Sequence, residues 1–468
     1  MFENDELLRR LINYNFNNLI RNDVSVSKFL EGHFKEYIDD VENGVTGKND
    51  LLDKKIIQDV SNELNVLREL CEKIIEVIST FEAGHIKQAY DKAYELLNKH
   101  QSLLLTKKLD DQCLHVFSRI RLGNFKEKEK SELFHIPKDK NNLIGGYRYS
   151  VAGFPCLYLS NSLELCWYEC NMPKKFSFCQ MKIAKDEKIK LLDFTQRPMD
   201  FFSYQITNYL NYLHISKENQ IKAISFQIKN YILSYPIVAS CSMIVKDRGN
   251  KFVPEYIMPQ ILMQWIREST DVDGVMYMSS LNNSLNKGMG AFNIALPCKL
   301  FRDDGLCESL TRKMEVSDIE YIDIIEYFNQ QKKNLLDEIS KLKNKVWMFM
   351  IHSKCKGGYL NQMIELCDYI NITYKAILED KYVNGELIFN FINCMDTFIS
   401  FFKRNKAMII EKTIIKDGLE FEKTSEQEIN TLNDLYIKFV ELAETTVKRN
   451  QIFYMTSSSG LLKNFTKL

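Results

Sequence analysis

Arginines, tyrosines and one carboxylate crowd together between Phe117 and Glu169, in the stretches FSRIRL, GGYRYSVAGFPCLYLS and LELCWYEC. A guanidinium presents a planar fork that meets phosphate oxygens in pairs. Tyrosine rings stack on flat heterocycles, and a carboxylate near a sugar stabilises positive charge as it develops. This set suits the binding of a phosphate-bearing nucleotide and chemistry upon it.

The elements that must position these groups follow from turn chemistry. Gly145-Gly146 and Gly153 before Pro155 predict two turns flanking a short strand at 146–150, with a second strand at 155–160. Arg148 then stands at a strand edge beside a turn. A helix over 163–170, capped by Asn161 or Ser162, places Glu169 about two turns in, where its carboxylate can face the strands.

The ordered stretches FSRIR, FHIP, GGYRYS, GFPCLYLS and CWYEC, with the later PEYIMPQ and DGVMYMSS, resemble the RES domain over roughly residues 114–280. The resemblance implies an ADP-ribosyltransferase-like fold that breaks the nicotinamide–ribose bond of NAD, often as the toxin of a toxin–antitoxin pair. By position it assigns the family arginine of the first strand to Arg119, with Arg121 competing. The arginine after the glycine turn falls on Arg148, the strand tyrosine on Tyr158, the glutamate on Glu169 and the serine on Ser279, with Ser280 competing. Where relatives carry asparagine after the glycine turn, this chain has Tyr149 and Ser150.

The residue types make sense of such a reaction. Arg119 and Arg148 are expected to clamp the pyrophosphate. N-glycoside cleavage passes through an oxocarbenium-like state, so Glu169 is the expected stabiliser. Nicotinamide leaves as a neutral molecule and needs a stacking surface more than a strong acid, which Tyr158 and Tyr149 are expected to supply. Ser279 reads as a hydrogen-bonding group to ribose or phosphate. Each has a plainer reading as well: Tyr158 in a strand core, Ser279 as a turn former, and Glu255, Gln260 and His135 as structural residues. The expected acceptor is water or inorganic phosphate. ADP-ribosyl transfer to a macromolecule and a non-catalytic nucleotide-sensing module are the competing functions.

The chain has 468 residues, with Lys plus Arg and Asp plus Glu at 62 each. No global basic field recruits nucleic acid or an anionic membrane. The acidic start MFENDELLRR and the lack of a long apolar run predict a cytoplasmic protein. Twelve cysteines without a Cys-x-x-Cys pair read as reduced thiols, and seven dispersed histidines give no metal-ligand spacing. No cofactor or metal is expected, NAD being substrate; no Gly-x-Gly-x-x-Gly turn suggests a dehydrogenase.

Helical spacing at both ends frames the middle, giving an α+β chain: an α-helical domain at 1–110, a mixed-strand RES-like domain at 111–312 and an α-helical domain at 313–468. The N-terminal flank resembles the HEPN group but lacks the arginine–histidine spacing of its RNases. The flanks are expected to pack, to mediate self-association, or to meet an antitoxin or regulatory protein. Strands are predicted at 116–121, 146–150, 156–159, 176–183, 189–193, 238–245 and 274–278, and helices at 163–170, 218–233 and 259–266.

Overall fold

Apolar residues three and four apart dominate residues 26–100, and they fold into four antiparallel-style turns of helix: α2 (Val26–Thr46), α3 (Lys54–Asn62), α4 (Leu64–Glu82) and α5 (Ile86–His100), preceded by α1 (Glu6–Leu11). Ser25 and Asp53 cap α2 and α3 by accepting from Lys28 N and Lys55 N. On α2 the residues Leu30, Phe34, Tyr37 and Val41 form one buried stripe. The computed structural model describes residues 2, 4–15, 19–112, 115–214, 218–246, 250–268, 271–279, 291–352, 358–379, 395, 397–414 and 426–450.

Two compact units divide the chain. The first comprises Met1–Arg119, Lys130–Asn161 and Gln180–Val316; the second comprises Ile120–Glu129, Ser162–Cys179 and Ser317–Leu468. The division differs from the expected three segments because core residues set it. Leu30, Leu70 and Leu97 of the N-terminal helices join one hydrophobic cluster with Leu192, Val275 and Ala295 of the middle strands.

In the first unit, β1 (Thr106–Asp110) pairs antiparallel with β5 (Lys188–Phe194), and β5 runs parallel to β6 (Gly274–Met278). Strand β6 pairs antiparallel with β7 (Phe292–Pro297), and β7 with β3 (Cys156–Ser160). Strand β2 (Phe117–Leu122) meets β3 at Ser118 and Ser160, and its chain runs on into the second unit. The chain is thus α+β with mixed strand directions and helices at both ends. β6 and β7 approach closely: a Cβ at Gly274 would stand 2.3 Å from Ala295 O, so only glycine fits.

The helices α7 (Pro198–His214), α8 (Glu218–Ser242) and α9 (Ile257–Glu268) complete this unit's core. The strand expected at 238–245 is instead the end of α8, which continues through Pro236. An interior proline costs roughly 3 kcal/mol in a helix. Burial of Leu233, Tyr235, Ile237, Ala239 and Cys241 along that stretch overrides the cost. The expected strand at 146–150 is a tight turn with a single bridge, Tyr147 to Ser150.

In the second unit, the first half of β4 (Lys175–Ile183) pairs antiparallel with β9 (Glu320–Asp323), and Lys175 Nζ lies 2.8 Å from Asp323 Oδ2. Helix α6 (Leu163–Glu169) sets Leu163, Cys166 and Trp167 into a core with Leu335, Ile339, Leu366 and Phe402 of the C-terminal helices. No helix among the described residues is long and apolar enough to cross a membrane.

Candidate functional site

Directly opposed residues of neighbouring antiparallel strands share a face. The register therefore sets Ser118 of β2, Ser160 of β3, Asn293 of β7 and Tyr277 of β6 in one row across the first unit's sheet. Ser118, Ser160 and Asn293 are 1%, 4% and 3% exposed, and Ser160 Oγ donates to Asn293 Oδ1 at 2.6 Å. The next row, Tyr158, Ala295, Val275 and Leu192, is mostly apolar. Ser279 follows β6 directly and is buried. Ser280 lies outside the described residues. Sequence reasoning missed Ser118, Ser160 and Asn293. The available signal was a polar residue at the buried phase of three strands.

Arg119 sits beside this row. Its Nη1 donates to Tyr158 O at 3.0 Å, while its buried Nε has no hydrogen-bond partner. Burying an unpaired donor costs about 1–3 kcal/mol. Arg121, its competitor, belongs to the second unit and stacks its guanidinium over Phe125 at 4.6 Å. The loop carrying Phe125 is closed by Ser177, whose Oγ accepts from Phe125 N and donates to Gly123 O.

Arg148, expected as the second half of the clamp, has another environment. It is 7% exposed, its Nη1 and Nη2 donate to Cys241 O at 3.1 Å and Met243 O at 2.7 Å, and its guanidinium lies over the Tyr256 ring at 5.3 Å. Those carbonyls end α8 and follow it, where the helix dipole favours a cation. A phosphate contact would have to draw on these bonds, so the geometry makes Arg148 an anchor of its turn.

Tyr149 is fully buried, its ring 4.5 Å from that of Tyr277 and its Oη donating to Cys241 O at 3.3 Å. A stacking role needs an open ring face, and Tyr149 has none. Burial holds its phenol, and that of Tyr158, well above the ordinary range and so neutral. Tyr158 is half-buried; its Oη accepts from Tyr149 N and donates to Ser150 Oγ. Gln260 Nε2 donates to Tyr147 O and, at 3.3 Å, to Ser150 O. His135 is buried between Ile136 O and Cys307 N, which donates to its Nε2. Glu255 pairs with Arg21. These last three are structural, as the plainer reading had them.

In the second unit Ser162 caps α6 by accepting from Leu165 N at 3.1 Å, which fixes Glu169, half-buried, as the last residue of the helix. The partial negative charge of a helix C-terminus disfavours a carboxylate there by roughly 0.3–1 kcal/mol. Asn171 and Met172 follow with φ of 59° and 51°, a left-handed pair that non-glycine residues adopt at a cost. An unfavourable carboxylate beside a strained turn is the pattern of a site shaped by function.

No family model matches the chain. No solved structure matches it either. Among curated proteins it is 27% identical over 301 residues to a Bacillus subtilis (strain 168) protein described as "Putative toxin YopC". The match takes in 62% of this chain and 64% of the length of that protein, somewhat less than two thirds.

Proposed function

We propose that the chain cleaves NAD between nicotinamide and ribose, with water or inorganic phosphate as acceptor, and that it acts as a NAD-depleting toxin or defence effector. The observation that carries this reading is Arg119, a guanidinium held by one main-chain bond with a buried Nε unpartnered among the described residues. A phosphate oxygen is the acceptor such a donor fits best. The ordered RES-like stretches supply the identity of the phosphate-bearing molecule, and similarity to a protein named as a toxin supports the biological role.

In this reading Arg119 binds the pyrophosphate, and Ser279 and the Ser160–Asn293 pair lie with the hydroxyl and amide groups that meet the ribose. Arg148 holds the 145–150 turn in place. Glu169 carries the carboxylate that faces the ribosyl cation as the glycosidic bond breaks; nicotinamide departs neutral with the bonding pair, and water or phosphate adds to the anomeric carbon and releases a proton. A cationic partner in the transition state offsets the unfavourable placement of Glu169 at a helix end.

The test is nicotinamide release from NAD by the purified protein, with and without phosphate, beside Glu169→Gln. Release that the substitution reduces at least 100-fold, with NAD binding kept, is the expected result. Release that appears only with a macromolecule that keeps the label would move the reading to ADP-ribosyl transfer. Turnover unchanged in Glu169→Gln would remove that residue from the chemistry.

A further inference from the structure

The turn 145–150 is fixed from several sides, yet it leaves one large aromatic ring in solvent. Tyr147 N donates to Ser150 O at 2.9 Å, and Ser150 N returns a bond to Tyr147 O at 3.2 Å. Gln260 of α9 holds Tyr147 O at 3.0 Å. The two following side chains, Arg148 and Tyr149, both end on carbonyls at the close of α8, and Tyr158 Oη bridges Tyr149 N and Ser150 Oγ. Side chains and main chain are thus anchored at 148, 149 and 150, and the backbone at 147 has little freedom left.

Tyr147 itself is 58% exposed. Its ring meets Tyr158 edge to face, with centroids 6.1 Å apart and planes at 73°. A Cβ at Gly145 would lie 3.6 Å from Tyr147 Oη, so the absence of a side chain at 145 leaves that flank of the ring uncovered. An exposed tyrosine on a mobile loop would have to be ordered on binding. Here the ordering is already done by the protein, which is what makes an aromatic surface effective for a flat ligand.

We propose that Tyr147, and not its buried neighbour Tyr149, is the stacking surface for a heteroaromatic ring of the ligand. This deepens the NAD reading and rests on it. The rings at issue are the nicotinamide and the adenine, which share flatness and a π-face, and stacking recognises either. Edge-on support from Tyr158 keeps one face of Tyr147 turned outward, and the anchoring of Arg148 gives that buried cation a purpose: it holds the platform.

Binding of AMP, nicotinamide mononucleotide and ADP-ribose to the full chain, and of NAD to Glu169→Gln so that nothing is consumed, tests the assignment. Each is measured by calorimetry in the presence and absence of Tyr147→Ala and Tyr147→Phe. Tyr147→Ala is expected to weaken NAD on the order of 10-fold, with Tyr147→Phe close to the unaltered protein and the melting temperature unmoved in both. Loss confined to AMP and ADP-ribose names the adenine; loss confined to nicotinamide mononucleotide names the nicotinamide. Equal affinity in Tyr147→Ala, where the unaltered protein binds, overturns the assignment and leaves the NAD reading standing. Binding of none of these by the unaltered protein overturns both.

Discussion

Arg148→Ala separates an anchor from a phosphate clamp, and the structure gives the size of the effect. The side chain makes two charge-assisted bonds to carbonyls, at 3.1 and 2.7 Å, and lies over the Tyr256 ring. Charged hydrogen bonds contribute roughly 1.5–3 kcal/mol each and a desolvated cation–π contact about 1–2 kcal/mol. Cys241 O keeps a partner after truncation because Tyr149 Oη also donates to it, so the orphaned acceptor is Met243 O. The net loss is about 3–5 kcal/mol, a fall in Tm on the order of 5–10 °C. Arg148→Lys, with one compact ammonium in place of a fork, is expected to lose about half as much. The assay is thermal unfolding of each variant beside KM for NAD at a temperature well below the transition. A Tm within about 1 °C of the unaltered protein together with a KM raised roughly 100-fold would refute the anchoring and restore Arg148 to the phosphate.

Three other outcomes are expected. Arg119→Gln should raise KM for NAD roughly 10-fold or more with little change in Tm, whereas Arg121→Gln should mainly lose its stacking on Phe125, about 0.5–1 kcal/mol; steady-state kinetics showing the reverse order would exchange the two roles. Gly274→Ala drives a methyl to within 2.3 Å of Ala295 O and 2.7 Å of Leu296 Cδ2, so β6 and β7 must part, and a loss of about 3 kcal/mol or more should appear as a lower Tm; an unchanged Tm contradicts the close approach. His33, hydrogen-bonded to Tyr235 Oη at 2.7 Å, is held by burial at about 4, below its model value of 6.5. The unfolded chain therefore binds the extra proton first, and stability present above pH 6.5 declines as pH falls toward 4, by about 2 kcal/mol at pH 5. Urea titrations at pH 7 and 5 should show a smaller difference in His33→Gln, and an equal difference would discount His33.

The sequence by itself determined the parts whose signal is local. Helical periodicity marked α2 to α5, a serine before an apolar run gave the cap of α6 at Ser162, and alternation with flanking turns gave β3. It also brought Arg119, Tyr158 and Glu169 forward as residue types in a meaningful order. Tertiary structure decided what each side chain is free to do. Residues 147, 148 and 149 are successive members of one glycine-led turn, and nothing local distinguishes the exposed ring from the buried one; α8 and α9, more than ninety residues along the chain, make that choice through Cys241 O, Met243 O and Gln260. The path of α8 through Pro236 was illegible for the same reason, since local propensity breaks a helix there and only burial of the following turns sustains it. Likewise α6 carries no mark of its partners, yet its apolar face closes on helices beyond residue 324. Periodicity reports which face of an element is apolar; the identity of what covers that face is a long-range fact, and it decides whether an arginine anchors a turn or meets a phosphate.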